Sequence, residues 1–173
     1  AFSCDEPEPR NARLAADGFE PQPPIALQRE TEAGLLRFTV NRIRPGIMPE
    51  GRIQFVTHHT PDLLWEDRWL DHPNRAEALT DIALCVNDVD EAIARFSRFT
   101  GLSARSGIIE TARGRLAILD RHQAAAALPG MAQPECPYFA ACALRSGDLD
   151  ATRAFLPDAV GAGKDAIMVA GPE

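Results

Sequence analysis

The chain has 173 residues, of which 45% are hydrophobic, and its formal net charge is −7. This length and composition are typical of a globular protein with one sizeable core or two small ones. The negative charge disfavours a nucleic-acid partner, because phosphate binding needs clustered cations and the arginines here are dispersed among acids. No apolar run is long enough to span a bilayer and no signal peptide is visible, so we expect a cytoplasmic protein without a membrane partner.

The first 58 residues predict one strand, one helix and three further strands, in that order. Phe2-Ser3-Cys4 has the composition of a short strand and leads into a helix that carries Leu14. A proline-rich linker follows, since proline lacks an amide donor and holds its neighbours out of the helical region. The next three strands alternate between apolar and polar residues, and Glu32-Ala33-Gly34 suits a hairpin turn between the first two. These strands are predicted at residues 25–30, 34–44 and 52–58.

Asp81 to Leu102 is the best-specified stretch of the chain and predicts a buried strand followed by a helix. Ile82 to Val86 is an apolar run of strand length. Asp88 is a natural N-cap for the helix, and Gly101 is a typical residue just after its last turn. One apolar stripe at helical spacing would face the core. It consists of Val89, Ala92, Ile93, Phe96 and Phe99.

The same order of elements recurs along the chain. Strands at 106–111 and 115–119 follow the central helix, and a further strand and helix are predicted at 139–157. The fourth strand of this second copy either lies beyond the alanine-rich stretch or is missing. Repetition predicts an α+β protein with two strand-helix-strand-strand-strand modules, one at 1–78 and one at 79–173, the second including the copy at 139–157. The alternative is that strand, acidic cap and amphipathic helix recur by chance.

The connector between the modules contains both tryptophans and three of the four histidines. Leu64, Trp65, Trp69 and Leu70 lie at helical spacing, which is typical of core packing. A wall on which a substrate stacks is the alternative role for Trp65. Because a connector needs none of these residues, we expect function to lie near this segment.

Adjacent histidines, His58 and His59, end the third strand of the hairpin series and must point to opposite faces of it. Gln54 and His58 share the more polar face, whereas the face with Phe55 should pack on a helix. His58 is therefore a candidate ligand for a divalent ion or a candidate general base. The alternative is that both histidines cap the strand end and hydrogen-bond the loop before Pro61.

Arg37 and Arg42 lie on opposite faces of the strand at 34–44. Whichever faces the predicted cleft has the geometry to hold a carboxylate through two hydrogen bonds. The alternative is that these arginines simply lie at the protein surface.

The four cysteines lack the pair spacing of zinc sites. The four are Cys4, Cys85, Cys136 and Cys142. Three of them lie in or near apolar strands, which favours free, buried thiols over the alternatives, disulfides or metal ligands.

Two motifs resemble those of the vicinal oxygen chelate superfamily, whose members include glyoxalase I and the extradiol dioxygenases. One is Asp88-Val-Asp-Glu-Ala-Ile-Ala-Arg-Phe96 with its closing Gly101-Leu102. The other runs from Gly51 to Trp65 and is followed by His72-Pro73-Asn74. This second segment is similar to the glyoxalase-like proteins of the superfamily. The resemblance covers roughly residues 1–160.

The resemblance implies curled mixed sheets around a cleft, with the helices on the outer face and a divalent metal (Zn, Mn, Fe or Ni) held in the cleft. In metal-binding members the ligands lie near the ends of the first and last strands of the modules. Here the carry-over is partial, because Ile82 follows Asp81 where a histidine is usual, and Gln54 stands where a glutamate is common. His58 and Gln54 are thus the candidate metal ligands, with His58 also the candidate catalytic residue. The candidate substrate-binding residues are Arg37, Arg42, Trp65 and His59.

Two functions of different class follow from the resemblance. The first is a glyoxalase-like enzyme that acts on a small oxygenated metabolite, as a metal-dependent lyase, isomerase or dioxygenase. The alternative is a metal-free protein that binds and sequesters a small molecule on the same scaffold. A scaffold whose role is dimer formation is a third interpretation, and a homodimer is expected in each case because a second chain often completes the superfamily's cleft.

Overall fold

A computed structural model describes residues 1–69, 71–156 and 166–168, and it has an α+β architecture, as predicted. The first six elements are β1 (Phe2–Ser3), α1 (Pro7–Ala16), β2 (Ile25–Thr31), β3 (Gly34–Arg42), β4 (Gln54–His58) and β5 (Ala76–Cys85). The next seven are α2 (Val89–Thr100), β6 (Ala104–Arg105), β7 (Ile108–Glu110), β8 (Arg115–Leu119), α3 (Arg121–Ala127), β9 (Tyr138–Ser146) and α4 (Leu149–Phe155). Within these ranges no helix is long and apolar enough to cross a lipid bilayer.

The chain divides into two compact units. The first unit comprises Ala1–Glu66 and Asp90–Ser103, and the second comprises Asp67–Val89 and Ala104–Glu173. Helix α2 therefore belongs almost entirely to the first unit, although it directly follows a strand of the second. The boundary predicted at residue 78 divides the chain into two repeated modules, whereas these units are groups of residues that contact one another. The module boundary stays a prediction.

The sheet of the first unit has the order β1-β4-β3-β2, with β1 parallel to β4 and the other pairs antiparallel. All four strands were predicted, and so was the hairpin turn between β2 and β3. Alternation of side chains on β4 buries Ile53, Phe55 and Thr57, as expected for the face that packs on helices. The prediction of a mixed sheet is thus confirmed here.

Aromatic rings form the core of the first unit. The ring of Phe99, on α2, stacks on Phe55, on β4, with 4.8 Å between centroids. Phe19 meets Phe99 edge-on at 5.1 Å, and Phe2 lies 6.0 Å away. Leu14 of α1 is fully buried. Aromatic pairs in these geometries add to the stabilisation that their buried area gives, so both helices are fixed on one face of the sheet.

A buried ion pair joins α2 to the loop before β4. The Arg95 guanidinium donates from Nη1 and Nη2 to the two carboxylate oxygens of Glu50, at 2.8 and 2.7 Å, and also bonds Glu91. The Glu50 side chain is 1% exposed and that of Arg95 is 9% exposed. Burial alone would lower the pKa of Arg95, but the hydrogen bonds and charges of both carboxylates hold it above its ordinary value. The sequence alone did not predict this pair.

The sheet of the second unit has the order β6-β7-β8-β5-β9. β5 lies parallel to β8 and antiparallel to β9, and it is longer than the predicted strand because its first residues pair with β9 through several bulges. Its core includes Leu84, Ile109 and Ile118. The four strands β5-β8-β7-β6 repeat the order β1-β4-β3-β2, and β6 is the fourth strand that the sequence did not locate. It was missed because it is only two residues long.

Helix α3 was not predicted. Asp120 accepts a hydrogen bond from the Gln123 backbone N–H, while the Gln123 side chain accepts from the Asp120 N–H, which is a complete capping box. The Asp-x-x-Gln spacing was a usable signal, but the helix that follows has only alanines as apolar residues and so lacks a stripe of large apolar side chains. The strand and helix expected at 139–157 correspond to β9 and α4, and residue 157 itself lies outside the described residues.

The prediction of a packed helix around the tryptophans is wrong. Short 3-10 turns at Pro61–Leu63 and Asp67–Trp69 replace it. Trp65 is 52% exposed, so it is not a core residue. Pro61 and Pro73 confine any helix to the residues between them, and a helix of that length is marginal unless an apolar face packs. Leu70 lies outside the described residues.

Replacing Glu50 by Gln should lower the free energy of unfolding by about 3 kcal/mol, because the change leaves the buried Arg95 cation short of its partner. Urea unfolding followed by circular dichroism measures this loss. The matched control is Glu20→Gln, which removes a carboxylate that also bonds one arginine twice, at 2.6 and 2.8 Å to Arg44, but with both side chains more than half exposed. The control should change stability little, and equal losses in the two variants would contradict the importance of burial.

Candidate functional site

The two faces of the first sheet differ in whether their buried polar side-chain atoms have hydrogen-bond partners. β3 and β4 pair in register as Phe38 with His58, Val40 with Val56, and Arg42 with Gln54. We call the side of the sheet that carries these six residues the Arg42 face. Residues between them, such as Asn41 and Phe55, lie on the opposite side, which we call the Asn41 face.

The Asn41 face packs on the helices and its polar groups are bonded. Asn41 is fully buried, and its side-chain amide donates to the Pro7 carbonyl at 2.7 Å and to Asn11 Oδ1 at 3.3 Å. Cys4 Sγ lies 3.2 Å from Thr57 Oγ1. Around Asn41 and Thr57 this face is therefore a buried surface whose polar groups are bonded.

The Arg42 face contains two buried polar atoms that lack hydrogen-bond partners. They are Nε of Arg42, a donor, and Oε1 of Gln54, an acceptor. Because the two residues are directly opposite in register, their Cβ atoms lie about 5 Å apart. Buried polar atoms are nearly always bonded in folded proteins, so this pair requires a specific explanation. One donor and one acceptor side by side suit a ligand that offers oxygen atoms and a proton to share.

His58 lies on the same face as Gln54, as predicted, at the exposed end of β4. Its ring centroid is 6.3 Å from that of Phe38. His58 lies four positions along the strand from Gln54, which places their Cα atoms about 13 Å apart. In the described part of the chain, no group of three or more His, Cys, Asp or Glu residues is placed to hold a metal ion. Metal binding by His58 and Gln54 stays a prediction.

His59 points to the opposite side. Its Nε2 lies 2.8 Å from Thr39 Oγ1 on the Asn41 face, and its backbone N–H donates to the Arg37 carbonyl. The loop before Pro61 is held by Thr60, whose hydroxyl accepts a hydrogen bond from the Arg37 N–H at 2.9 Å. A substrate role for His59 stays a prediction, but it does not share a face with His58.

Arg37 and Arg42 lie on opposite faces, as the alternation predicted. Arg42 shares its face with Gln54 and is half-buried, whereas the Arg37 side chain is exposed on the Asn41 face. Arg42 is therefore the arginine that accompanies the candidate ligands His58 and Gln54. The exposed Trp65 follows the first 3-10 turn, and its substrate role stays a prediction.

The second unit contains a separate, polar cavity of about 330 Å³, and most of its lining residues belong to the connector near which function was expected. Its charged groups largely neutralise each other, because Arg75 pairs with Asp71 at 3.5 Å and Glu77 pairs with Arg145 at 3.0 Å. The His72 carbonyl accepts a hydrogen bond from the Arg75 backbone N–H, which closes a turn at the cavity. The remaining acid of the lining, Asp148, accepts from the backbone N–H groups of Asp150 and Ala151, so this cavity is a weaker candidate than the Arg42 face.

No family model and no curated protein match the chain. Its fold is similar to a crystal structure of a hypothetical protein from Staphylococcus aureus, with a TM-score of 0.50 and 11% sequence identity. The match covers 68% of this chain and 50% of that chain, so this chain spans about half the length of that protein. At such low identity the likeness shows the fold alone, and it agrees with the α+β class.

Replacing Gln54 by Leu should leave the free energy of unfolding unchanged within about 0.5 kcal/mol, or raise it, because the change removes an acceptor that has no donor. Asn41→Leu is the matched control on the neighbouring position of the sheet. It should cost about 2 kcal/mol, since it leaves the Pro7 carbonyl without its donor. Both values come from urea unfolding. An equal cost in the two variants would mean that the Gln54 oxygen is satisfied in the free protein.

Proposed function

We propose that the chain binds a small oxygenated metabolite on the Arg42 face of the first sheet. The observation that carries the proposal is the pair of buried, unpartnered atoms, Arg42 Nε and Gln54 Oε1. Each such atom costs free energy in the folded protein unless another group bonds it. A ligand with two neighbouring oxygens would satisfy both atoms at once, if one oxygen accepts from Arg42 Nε, as a carboxylate oxygen can, and the other is a hydroxyl that donates to Gln54 Oε1.

The surroundings suit the rest of such a molecule. The planar guanidinium of Arg42 can bond two oxygens of one ligand group, which gives both affinity and orientation. Val40 is buried, and Phe38 and Val56 are half-buried beside the polar pair on the same face. A ligand with a short apolar body and an oxygen-rich end therefore fits the chemistry of this face.

Sequestration without a metal is the form of this function that we favour. Catalytic zinc sites usually have three protein ligands, whereas the described residues of this face supply one imidazole and one amide oxygen. The resemblance to the vicinal oxygen chelate superfamily supports a small-molecule cleft. As parts of the same proposal, we expect a cytoplasmic homodimer that does not bind nucleic acid.

Glyoxalase-like catalysis with a divalent ion is the second candidate, and the observation that favours it is His58. This histidine is exposed on the same face as Arg42 and Gln54, where a neutral imidazole can bind Zn, Mn, Fe or Ni. The resemblance implies that two substrate oxygens would complete the coordination of the ion.

Binding can be tested with a panel of small hydroxy- and oxo-carboxylates by thermal shift and then by calorimetry. A bound member should raise Tm by about 5 °C at a hundredfold excess over its Kd. Arg42→Gln should weaken that binding at least about tenfold, because a charged hydrogen bond is lost. Arg37→Gln, on the opposite face, should leave Kd unchanged. No binder in the panel, or equal losses in both variants, would contradict the proposal, and sedimentation of the same samples reports whether the chain is dimeric.

Elemental analysis after exposure to Zn, Mn, Fe and Ni salts tests the second candidate. About one ion per chain, lost in His58→Ala and retained in His59→Ala, would favour the metal-dependent enzyme. The adjacent histidine is the matched control, because its ring points to the other face and bonds Thr39. Absence of bound metal in the wild-type protein would make the catalytic candidate wrong.

A further inference from the structure

Two cysteines of the second unit meet although they lie 51 positions apart in the chain. The Sγ atoms of Cys85 and Cys136 are 3.5 Å apart. Cys85 is the last residue of β5 and is fully buried, whereas Cys136 is half-buried in the segment that precedes β9. One thiol of the pair is thus reachable from solvent, and the other lies behind it.

The surrounding structure holds this arrangement. Cys85 pairs in register with Tyr138, the first residue of β9, which fixes the position of Cys136 two residues earlier. On the other side, Arg121 at the start of α3 donates to the carbonyls of Gln133 and Pro134. Strand pairing and an arginine therefore keep the segment with Cys136 against the end of β5.

The other two cysteines have different surroundings. Cys4 belongs to the first unit, where its thiol lies against Thr57 and Asn41 in the interior. Cys142 is exposed on β9. Both are free thiols, as are Cys85 and Cys136. Cys142 is therefore the reference for the reactivity of an exposed thiol, and Cys4 is the reference for that of an enclosed thiol.

We propose that Cys85 and Cys136 form a redox-sensitive pair that closes to a disulfide when the protein meets a peroxide or a small disulfide. This modification site is independent of the ligand site on the first unit. Closing the bond needs the sulfur atoms to approach from 3.5 Å to about 2.05 Å, a movement that side-chain rotation at the half-buried Cys136 can supply.

The chemistry balances in two steps with a peroxide. The Cys136 thiolate attacks one peroxide oxygen, the O–O bond breaks, and a sulfenic acid forms with release of hydroxide, which takes up the proton that the thiol had lost and becomes water. The Cys85 thiol then attacks the Cys136 sulfur, displaces the hydroxyl as a second water and forms the S–S bond. With a small disulfide the same closure proceeds through a mixed disulfide and releases two small thiols.

The local electrostatics predict that the closure is slow at neutral pH. Burial and the neighbouring Cys85 thiol raise the pKa of Cys136, and Glu135 raises it further, while the Arg121 cation lowers it. Burial and the Cys85 contact raise the pKa of Tyr138 as well, so this hydroxyl stays neutral beside the pair. Because the thiolate is the reactive form, the rate of oxidation should increase as pH rises above neutral.

The test oxidises the Cys142→Ser protein, which removes the exposed thiol, with hydrogen peroxide or oxidised glutathione. The three remaining cysteines should fall to one free thiol per denatured chain, and mass spectrometry of an unreduced digest should find peptides with Cys85 and Cys136 joined. Oxidation should raise Tm by about 5–10 °C, since the bond closes a long loop of the unfolded chain, and dithiothreitol should reverse the rise.

Cys136→Ser in the same background is the matched control, because it alters the half-buried position rather than the core. Its two remaining thiols should persist and its Tm should not respond to oxidant. The proposal is overturned if all three thiols of the Cys142→Ser protein survive a treatment that oxidises Cys142 in the wild type. Sulfinic acid or a lasting glutathione adduct at Cys136, without the joined peptides, would overturn it as well.

Discussion

The buried ion pair between Arg95 and Glu50 fixes the arrangement on which the first unit depends. An apolar helix face can slide or rotate on a sheet at moderate cost, because dispersion contacts are not directional. Arg95 removes that freedom, since its guanidinium bonds both oxygens of Glu50 and both oxygens of Glu91. Such a pair contributes little net stability but penalises alternatives strongly, and we regard register of α2 as its main role. The same helix carries Phe99, whose ring stacks on Phe55.

This constraint also explains why only one face of the sheet remains for ligands. With α1 and α2 fixed, the Asn41 face is closed by the aromatic cluster and by the hydrogen bonds of Asn41. One residue further along β3, Arg42 points the other way and its Nε has no partner. Adjacent residues of one strand thus differ in role for a simple geometric reason, the alternation of side chains.

Local patterns were sufficient to predict much of the fold but not its long-range contacts. Alternation located β2 to β4 and placed Gln54 and His58 on one face, because strand geometry has a period of two. Glu50 lies between Pro49 and Gly51 and looks like a turn residue. Nothing in the local sequence indicates that it pairs with Arg95, 45 positions away. The contact between Cys85 and Cys136 could not be predicted for the same reason, because the two residues lie 51 positions apart. Near Trp65 a local pattern led to a wrong prediction, because residues at helical spacing form two short turns instead of a helix.

The repeated strand order allows the ligand site to be compared with its counterpart in the second unit. β7 and β8 take the places of β3 and β4, so the terminal pair of Glu110 with Arg115 corresponds to Arg42 with Gln54. In the second unit the arginine is neutralised, because Arg115 Nε donates to Asp81 at 2.5 Å and the hydrogen bond lowers the pKa of that carboxyl. By the same register the counterpart of Asp81 in the first unit is Ala1, whose side chain has no carboxylate. The same topology therefore gives a bonded arginine in one unit and two unpartnered polar atoms in the other, which is why we propose ligand binding in the first.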